Sequence, residues 1–260
     1  MIKVTIWNEF VQEQLCEETL EKFGFEGMPE DEKKRNFERT EEIRKVHPHG
    51  IHQTLKELIE EDEEFKVCHI ATLEMEECGL TEEVLDDTDV LVWWSHIAQD
   101  KVPDEIARRV QECVLRGMGI IFLHSAHMSK PMRFLLGTSG TLKWREGDFC
   151  RVWTTQPSHP IAKGIPESIE LEEEEMYGEF FDIPTPESQV FLSWYSGGEV
   201  FRSGCTWTRG YGRIFYFQPG HETNRSYFNP SIRQIIRNGV RWTAGNQIWR
   251  EKLECIHAVK

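Results

Sequence analysis

The sequence predicts an α/β protein built on a doubly wound, mostly parallel sheet, and three observations carry that expectation. Short β-branched runs alternate with amphipathic stretches through the first half of the chain. One of them, DVLVWW (Asp89 to Trp94), is apolar almost without interruption, as a parallel strand buried on both faces must be. Three apolar runs then lead to a histidine: DVLVWWSH to His96, GIIFLH to His124 and GRIFYFQPGH to His221. Ligands of open α/β sheets bind in the crevice outside the carboxyl ends of the strands, so the three imidazoles are expected to face one pocket.

Each element follows in order. IKVTIW (Ile2 to Trp7) is a short β-branched strand. The charged stretch 9–45 carries few core anchors and is expected to be a helical, largely exposed insert. GIHQTLKELIEEDEEF (Gly50 to Phe65) sets Ile51, Leu55, Leu58 and Ile59 at helical spacing, and KVCHIAT (Lys66 to Thr72) is the second strand. After the strand at Asp89, Pro103 opens a helix over Val102 to Arg116, and Gly117 and Gly119 close it. GIIFLH (Gly119 to His124) is the fourth strand, so the order β-α-β-β-α-β with right-handed crossovers implies the doubly wound sheet. Beyond about residue 140 the texture changes to the short, mixed or antiparallel strands of FCRVWTT (Phe149 to Thr155), SIELEEEEMYGEFF (Ser168 to Phe181) and QVFLSWYS (Gln189 to Ser196). A hairpin turning at Arg209 to Gly212 delivers His221, and SIRQIIRNGVRWTA (Ser231 to Ala244) is a closing amphipathic helix. Without a repeat or linker, the 260 residues are expected to form one domain.

Composition narrows the function. A formal net charge of -15 disfavours nucleic acid and anionic lipid as partners. Seven scattered cysteines without CxxC spacing argue against a disulfide framework or a zinc knuckle. No stretch approaches the roughly 20 apolar residues that span a bilayer, and no export signal precedes the first strand. The expectation is a cytoplasmic homo-oligomer that binds a small molecule. No G-x-G-x-x-G follows any strand, so a dehydrogenase step is not expected here.

The chemistry rests on imidazole and carboxylate. His96, His124 and His221 are candidate ligands for a divalent metal such as zinc, with Glu175 of EEMYGE adding a carboxylate and one position left open. Without metal, His124, His221 and Glu175 suit general acid/base work, and Tyr177, on the strand face of Glu175, can donate to a hydroxyl or an oxyanion. Ser125, His127, Trp94 and Glu222 join them as candidate substrate contacts. Plainer roles are expected elsewhere. His69 suits a core or strand edge, His159 and His257 structure or solvent, and His47 and His49 a turn before a helix. Most of Glu172 to Glu175 suits a solvated strand.

WWSH (93–96), FLHSAH (122–127), EEMYGEFFDIP (174–184), SGGEVFRSGC (196–205) and YFQPGHE (216–222) together resemble the ThuA-like, trehalose-utilisation family of the class I glutamine amidotransferase-like superfamily, over nearly the whole chain. The resemblance implies a flavodoxin-like or amidotransferase-like sheet with C-terminal antiparallel additions. It implies carbohydrate metabolism, and GIH at the helix start makes His52 a further substrate contact. Amidotransferases need a cysteine at the strand-to-helix elbow, but this elbow reads Leu123-His124-Ser125-Ala126-His127, so glutaminase activity is not expected. A serine nucleophile at Ser125 lacks the flanking G-x-S-x-G glycines. Two readings stay open: an enzyme acting on keto-disaccharides or related sugars by hydrolysis, isomerisation or elimination, and a non-catalytic sugar-binding or accessory subunit of a sugar dehydrogenase.

Overall fold

Nine strands pair into a single sheet in the computed structural model, which describes residues 1–245; His257 and Cys255 lie outside them. They are β1 (Ile2–Asn8), β2 (Phe65–Thr72), β3 (Val90–Trp94), β4 (Gly119–Leu123), β5 (Lys143–Thr154), β6 (Ser168–Gly178), β7 (Ser188–Tyr195), β8 (Val200–Arg209) and β9 (Gly212–Phe217). The order across the sheet is β2-β1-β3-β4-β9-β8-β7-β5-β6. The five strands from β2 to β9 are parallel, and every pairing from β9 to β6 is antiparallel. The parallel core with antiparallel additions is the predicted class.

Seven helices accompany them among the described residues: α1 (Leu20–Phe23), α2 (Glu30–Val46), α3 (Ile51–Ile59), α4 (Glu82–Asp86), α5 (Asp104–Arg116), α6 (Lys130–Leu136) and α7 (Pro230–Thr243). α3 packs with α7, and α5 packs with α4 and α6, giving the two helical layers of a doubly wound sheet. The stripes that bury them are those visible in sequence: Ile51, Leu55, Leu58 and Ile59 in α3, and Ile232, Ile235, Ile236 and Val240 in α7. Each fully buried side chain of this size contributes about 1.5–3 kcal/mol. α7 turns Arg237 and Arg241 outward onto Glu61 and Asp62 at the end of α3. α5 begins at Asp104, not Val102, because Val102 and Pro103 are extended.

Two features bring distant segments to the carboxyl ends of the parallel strands. From β4 to β6 is five strand steps, which in a flat sheet would be about 24 Å at roughly 4.8 Å per step. Yet Glu175 Oε2 of β6 lies 3.1 Å from His124 Nε2, just past β4. The antiparallel arm therefore curls back over the sheet end, helped by register irregularities in β5–β6 and β7–β8. Burial in β6 records the curl: Ile169 to Glu173 alternate or face solvent, whereas every residue from Glu174 to Gly178 is buried. The expected solvated run of glutamates is split at its middle.

The second feature corrects the insert. Helical it is in part, but its first portion is not exposed: Val11, Leu15, Leu20 and Phe23 form a small core with Ala98, and Glu9, Gln12 and Glu13 are buried. Charge in this segment signals burial in a polar site as well as solvation. α2 then reaches the arm through an ion pair of Arg39 with Glu146.

Candidate active site

Local backbone fixes each imidazole. At the end of β4, His124 has φ of +52°, in the left-handed region that a non-glycine residue rarely occupies, at a cost on the order of 1–3 kcal/mol. The turn continues through a short 3-10 segment to Ser129, whose side chain caps α6 at the Met132 amide. His124 Nδ1–H donates to the Gln218 carbonyl at 3.0 Å, Tyr216 donates to the His124 carbonyl at 3.1 Å, and the ring stacks on Tyr177 with centroids 5.3 Å apart. His221 follows Gly220, whose φ is +141° and where a Cβ would lie 2.2 Å from the Tyr227 hydroxyl, so only glycine fits. The amides of Gly220 and His221 donate to Glu174 at 2.9 and 3.1 Å, and Ser226 donates to it at 2.6 Å. The amides of His96 and Ile97 both donate to Glu9, each at 3.0 Å.

The three rings converge, with centroids 5.9 Å apart for His96–His124, 6.1 Å for His96–His221 and 5.3 Å for His124–His221. Two carboxylates close the cluster. The ligand atoms of His124, Glu175 and His221 all lie within 4.8 Å of one another, as do those of His96, His124 and Glu222. His124 Nε2, His221 Nε2, Glu175 Oε2 and both Glu222 oxygens are buried without a hydrogen-bond partner. The His124–Glu175 approach at 3.1 Å is thus a charge contact in which the ring N–H direction misses the carboxylate. Buried polar atoms are almost always partnered, so five such atoms on four neighbouring side chains make this the candidate binding site.

Charge points the same way. Glu9, Glu13, Glu174, Glu175 and Glu222 are all buried, and no lysine or arginine is among the buried residues described. Burial works against ionised Glu222, but the imidazoles of His221, His96 and His124 overcome it and hold its carboxyl down to about 2. Burial likewise works against protonated His124, and the Glu175 carboxylate overcomes it, raising the ring to about 9. Burial dominates at His127, pushing it down to about 4, and at Glu9, pushing it up to about 7. The donor set, imidazole nitrogen plus carboxylate oxygen with surplus negative charge, suits a divalent ion such as zinc.

A slot of about 460 Å³ opens over the cluster, lined by His96, Ser125, His127, Glu175 and Tyr177 with Arg39, Gln99 and Trp144 among others. Not every expected residue reaches it. Trp94 is wholly buried with its Nε1–H toward the Gly220 carbonyl, so it is packing and offers a ligand no surface. His52 does not line the slot and lies against Asn8 at 3.1 Å and edge-on to Phe10. Ser125 is not at the strained position of the elbow, and its hydroxyl pairs with Tyr177 at 2.8 Å instead of with a histidine. His69 pairs with Asp87 at 3.0 Å, and His159 caps a 3-10 turn. His47 lies in the expected turn before α3 and packs there, buried against Thr54 at 2.8 Å.

Sequence reasoning missed Glu9, Gln12, Glu13 and Glu174. Glu9 had a usable signal, since it follows β1 at the same sheet end as His96 follows β3. Gln12 Oε1 lies 2.5 Å from His96 Nδ1, and Glu13 accepts from Asn8 at 2.7 Å, a contact that only the docked insert creates.

The ThuA family model, described as trehalose utilisation, matches residues 31–243. Among solved structures, a putative ThuA-like protein from Parabacteroides merdae superposes with a TM-score of 0.63 at 15% identity, over 97% of this chain and 92% of that one. A putative ThuA-like protein from Bacteroides uniformis gives 0.52 at 16%, over 93% and 91%. A glutamine amidotransferase from Thermotoga maritima gives 0.51 at 10%, over 94% and 99%. These likenesses show the amidotransferase-like fold. No curated protein matches the sequence. No described helix is long and apolar enough to cross a membrane.

Proposed function

The chain belongs to the ThuA, trehalose-utilisation family, and from that premise we propose that it is an enzyme acting on keto-disaccharides or related sugars through the His/Glu cluster. One observation carries the reading: five orphaned, buried imidazole and carboxylate atoms converge beneath an open slot. Loss of the elbow cysteine removes glutaminase chemistry, and His124 in its place turns the same strained corner into a ligand position. His96, His124 and His221, with Glu175 and Glu222, would hold a divalent ion such as zinc, which when bound polarises a carbonyl or activates water.

The chain's own groups do the rest. Tyr177, kept protonated by burial and the nearby Glu175 charge, offers its O–H to a substrate oxygen. His127 donates Nδ1–H to the Gly140 carbonyl at 2.7 Å and is held neutral, so its Nε2 is an acceptor in a residue lining the slot. Glu174 takes no part in the chemistry and holds the Gly220–His221 turn. The test pairs elemental analysis of untagged protein with a panel of oxidised and unoxidised disaccharides. Near-stoichiometric metal and turnover of an oxidised sugar are expected. Tight binding without conversion, alone or with a sugar dehydrogenase, would leave a binding or accessory subunit instead.

A further inference from the structure

The slot extends well beyond the cluster beneath it. Its wall runs outward from Tyr177, which stacks on the His124 ring beneath it, to Trp144, which is paired with Tyr177 across the β5–β6 ladder. Residues paired across an antiparallel ladder project from the same face, so Tyr177 and Trp144 form one continuous surface leading out of the centre. Trp7, Trp93, Trp94 and Trp207 are fully buried, whereas Trp144 is 61% exposed at the rim of the slot. A bare indole there forgoes the burial that the other four obtain, and a ligand in the slot would restore it. Arg39 of the insert also lines the slot and is tied by its ion pair to Glu146, two residues past Trp144. The outer end therefore combines an aromatic face with a donor-rich cation, while the inner end combines imidazole with carboxylate.

We propose that the slot has two subsites and that Trp144, with Arg39 beside it, forms the outer one, setting specificity for a two-ring sugar over a single ring. The proposal rests on the reading of the cluster as a sugar site. Its physical basis is the match between the apolar C–H face of a pyranose and the electron-rich indole face, with Arg39 donating to ring hydroxyls. The volume of about 460 Å³ is within the range of about 300–1,000 Å³ typical of pockets for drug-sized ligands. The insert gains a purpose on this view, since α2 supplies the only lysine or arginine among the described residues lining the slot.

The experiment compares wild type, Trp144→Ala, Trp144→Phe and Arg39→Gln on trehalose and its keto derivative against methyl glucoside and its keto derivative, by calorimetric binding and by turnover. Trp144→Ala is expected to weaken two-ring binding and raise its KM about 2- to 12-fold, the range of one aromatic stacking contact. One-ring sugars should be unaffected, Trp144→Phe should recover most of the loss, and kcat should hold because the centre is untouched. The melting temperature should not move, since Trp144 is exposed. Equal losses for both sugar classes, or none for either, would overturn the two-subsite proposal while wild-type turnover of sugars kept the enzyme reading intact. Wild type that binds neither class would remove both.

Discussion

The parallel half of the sheet ends in imidazoles, and the antiparallel arm brings carboxylates to meet them. His96, His124 and His221 each follow a parallel strand, so ordinary α/β topology gathers them at one edge. Glu174, Glu175 and Tyr177 arrive from β6, at the far side of the sheet, only because the arm curls back. The difference separates imidazoles placed by strand order alone from carboxylates placed by the curl of the arm. Even neighbouring carboxylates divide along it. Glu174 accepts from three backbone amides and a serine, whereas Glu175 Oε2 has no hydrogen bond at all.

The sharpest way to break this comparison is to remove one group from each half. His124→Ala and Glu175→Ala should each lower turnover of a keto-disaccharide at least about 100-fold, within the roughly 100- to 10,000-fold span of such groups. The double variant should lose little more than either single one, because the two act as a unit. Metal content measured on the same samples should fall with activity. An additive double variant, or full activity after loss of either residue, would separate the two halves again.

Stability should separate the adjacent carboxylates. Glu174→Ala leaves several buried donors unpartnered at about 1–3 kcal/mol each, so a loss of about 3 kcal/mol or more is expected in urea unfolding with chelator present. Glu175→Ala strands no hydrogen-bond donor, and the His124 imidazole it leaves behind can shed its proton, so it should cost less than Glu174→Ala. The reverse order would assign the structural role to Glu175.

Much of this was legible beforehand, for physical reasons. Periodicity reports burial within one element, so α3, α7 and the apolar run of β3 could be read from Ile51, Ile232 and Val90 onward. Strand ends at a parallel edge are equally local, which made His96, His124 and His221 readable as a set. The curl of the arm depends on register shifts around Asp148 and in β7–β8, which leave no comparable pattern, so the divide between Glu173 and Glu174 was hidden. Glu9, Gln12 and Glu13 were hidden because a charged segment suggests solvent, and only its docking through Val11 and Leu15 reveals a polar interior.

A smaller effect contrasts two histidines three residues apart. His124 is raised by Glu175, but His127 sees mainly burial and is lowered to about 4. A neutral buried histidine stabilises the fold above its unfolded value near 6.5, and that stability is lost as pH falls from about 6.5 to about 4. Wild type should therefore lose about 1.4 kcal/mol per pH unit more than His127→Gln across that window. Glu9, raised to about 7, titrates in the opposite sense but is common to both proteins and drops out of the difference. Parallel stability curves for the two proteins would show that His127 is free to protonate.

The smallest expected effect is at Ser125, where no covalent labelling is expected. A serine nucleophile needs a strained elbow that exposes its oxygen and a base within hydrogen-bond reach. Here the strained φ belongs to His124, one residue earlier, and Ser125 is 3% exposed with its hydroxyl bonded to Tyr177. Tyr177 is protonated and cannot take the proton away. A fluorophosphonate probe should therefore leave Ser125 unlabelled, and Ser125→Ala should cost no more than the positioning of one tyrosine hydroxyl, about 0.5–1.5 kcal/mol or some 2- to 12-fold in turnover. Stoichiometric labelling would mean that Ser125 and a histidine meet in a conformation unlike this one. The antiparallel arm, which holds Tyr177 in place, would then have to be mobile, and the division of labour between the two halves of the sheet would fail at its centre.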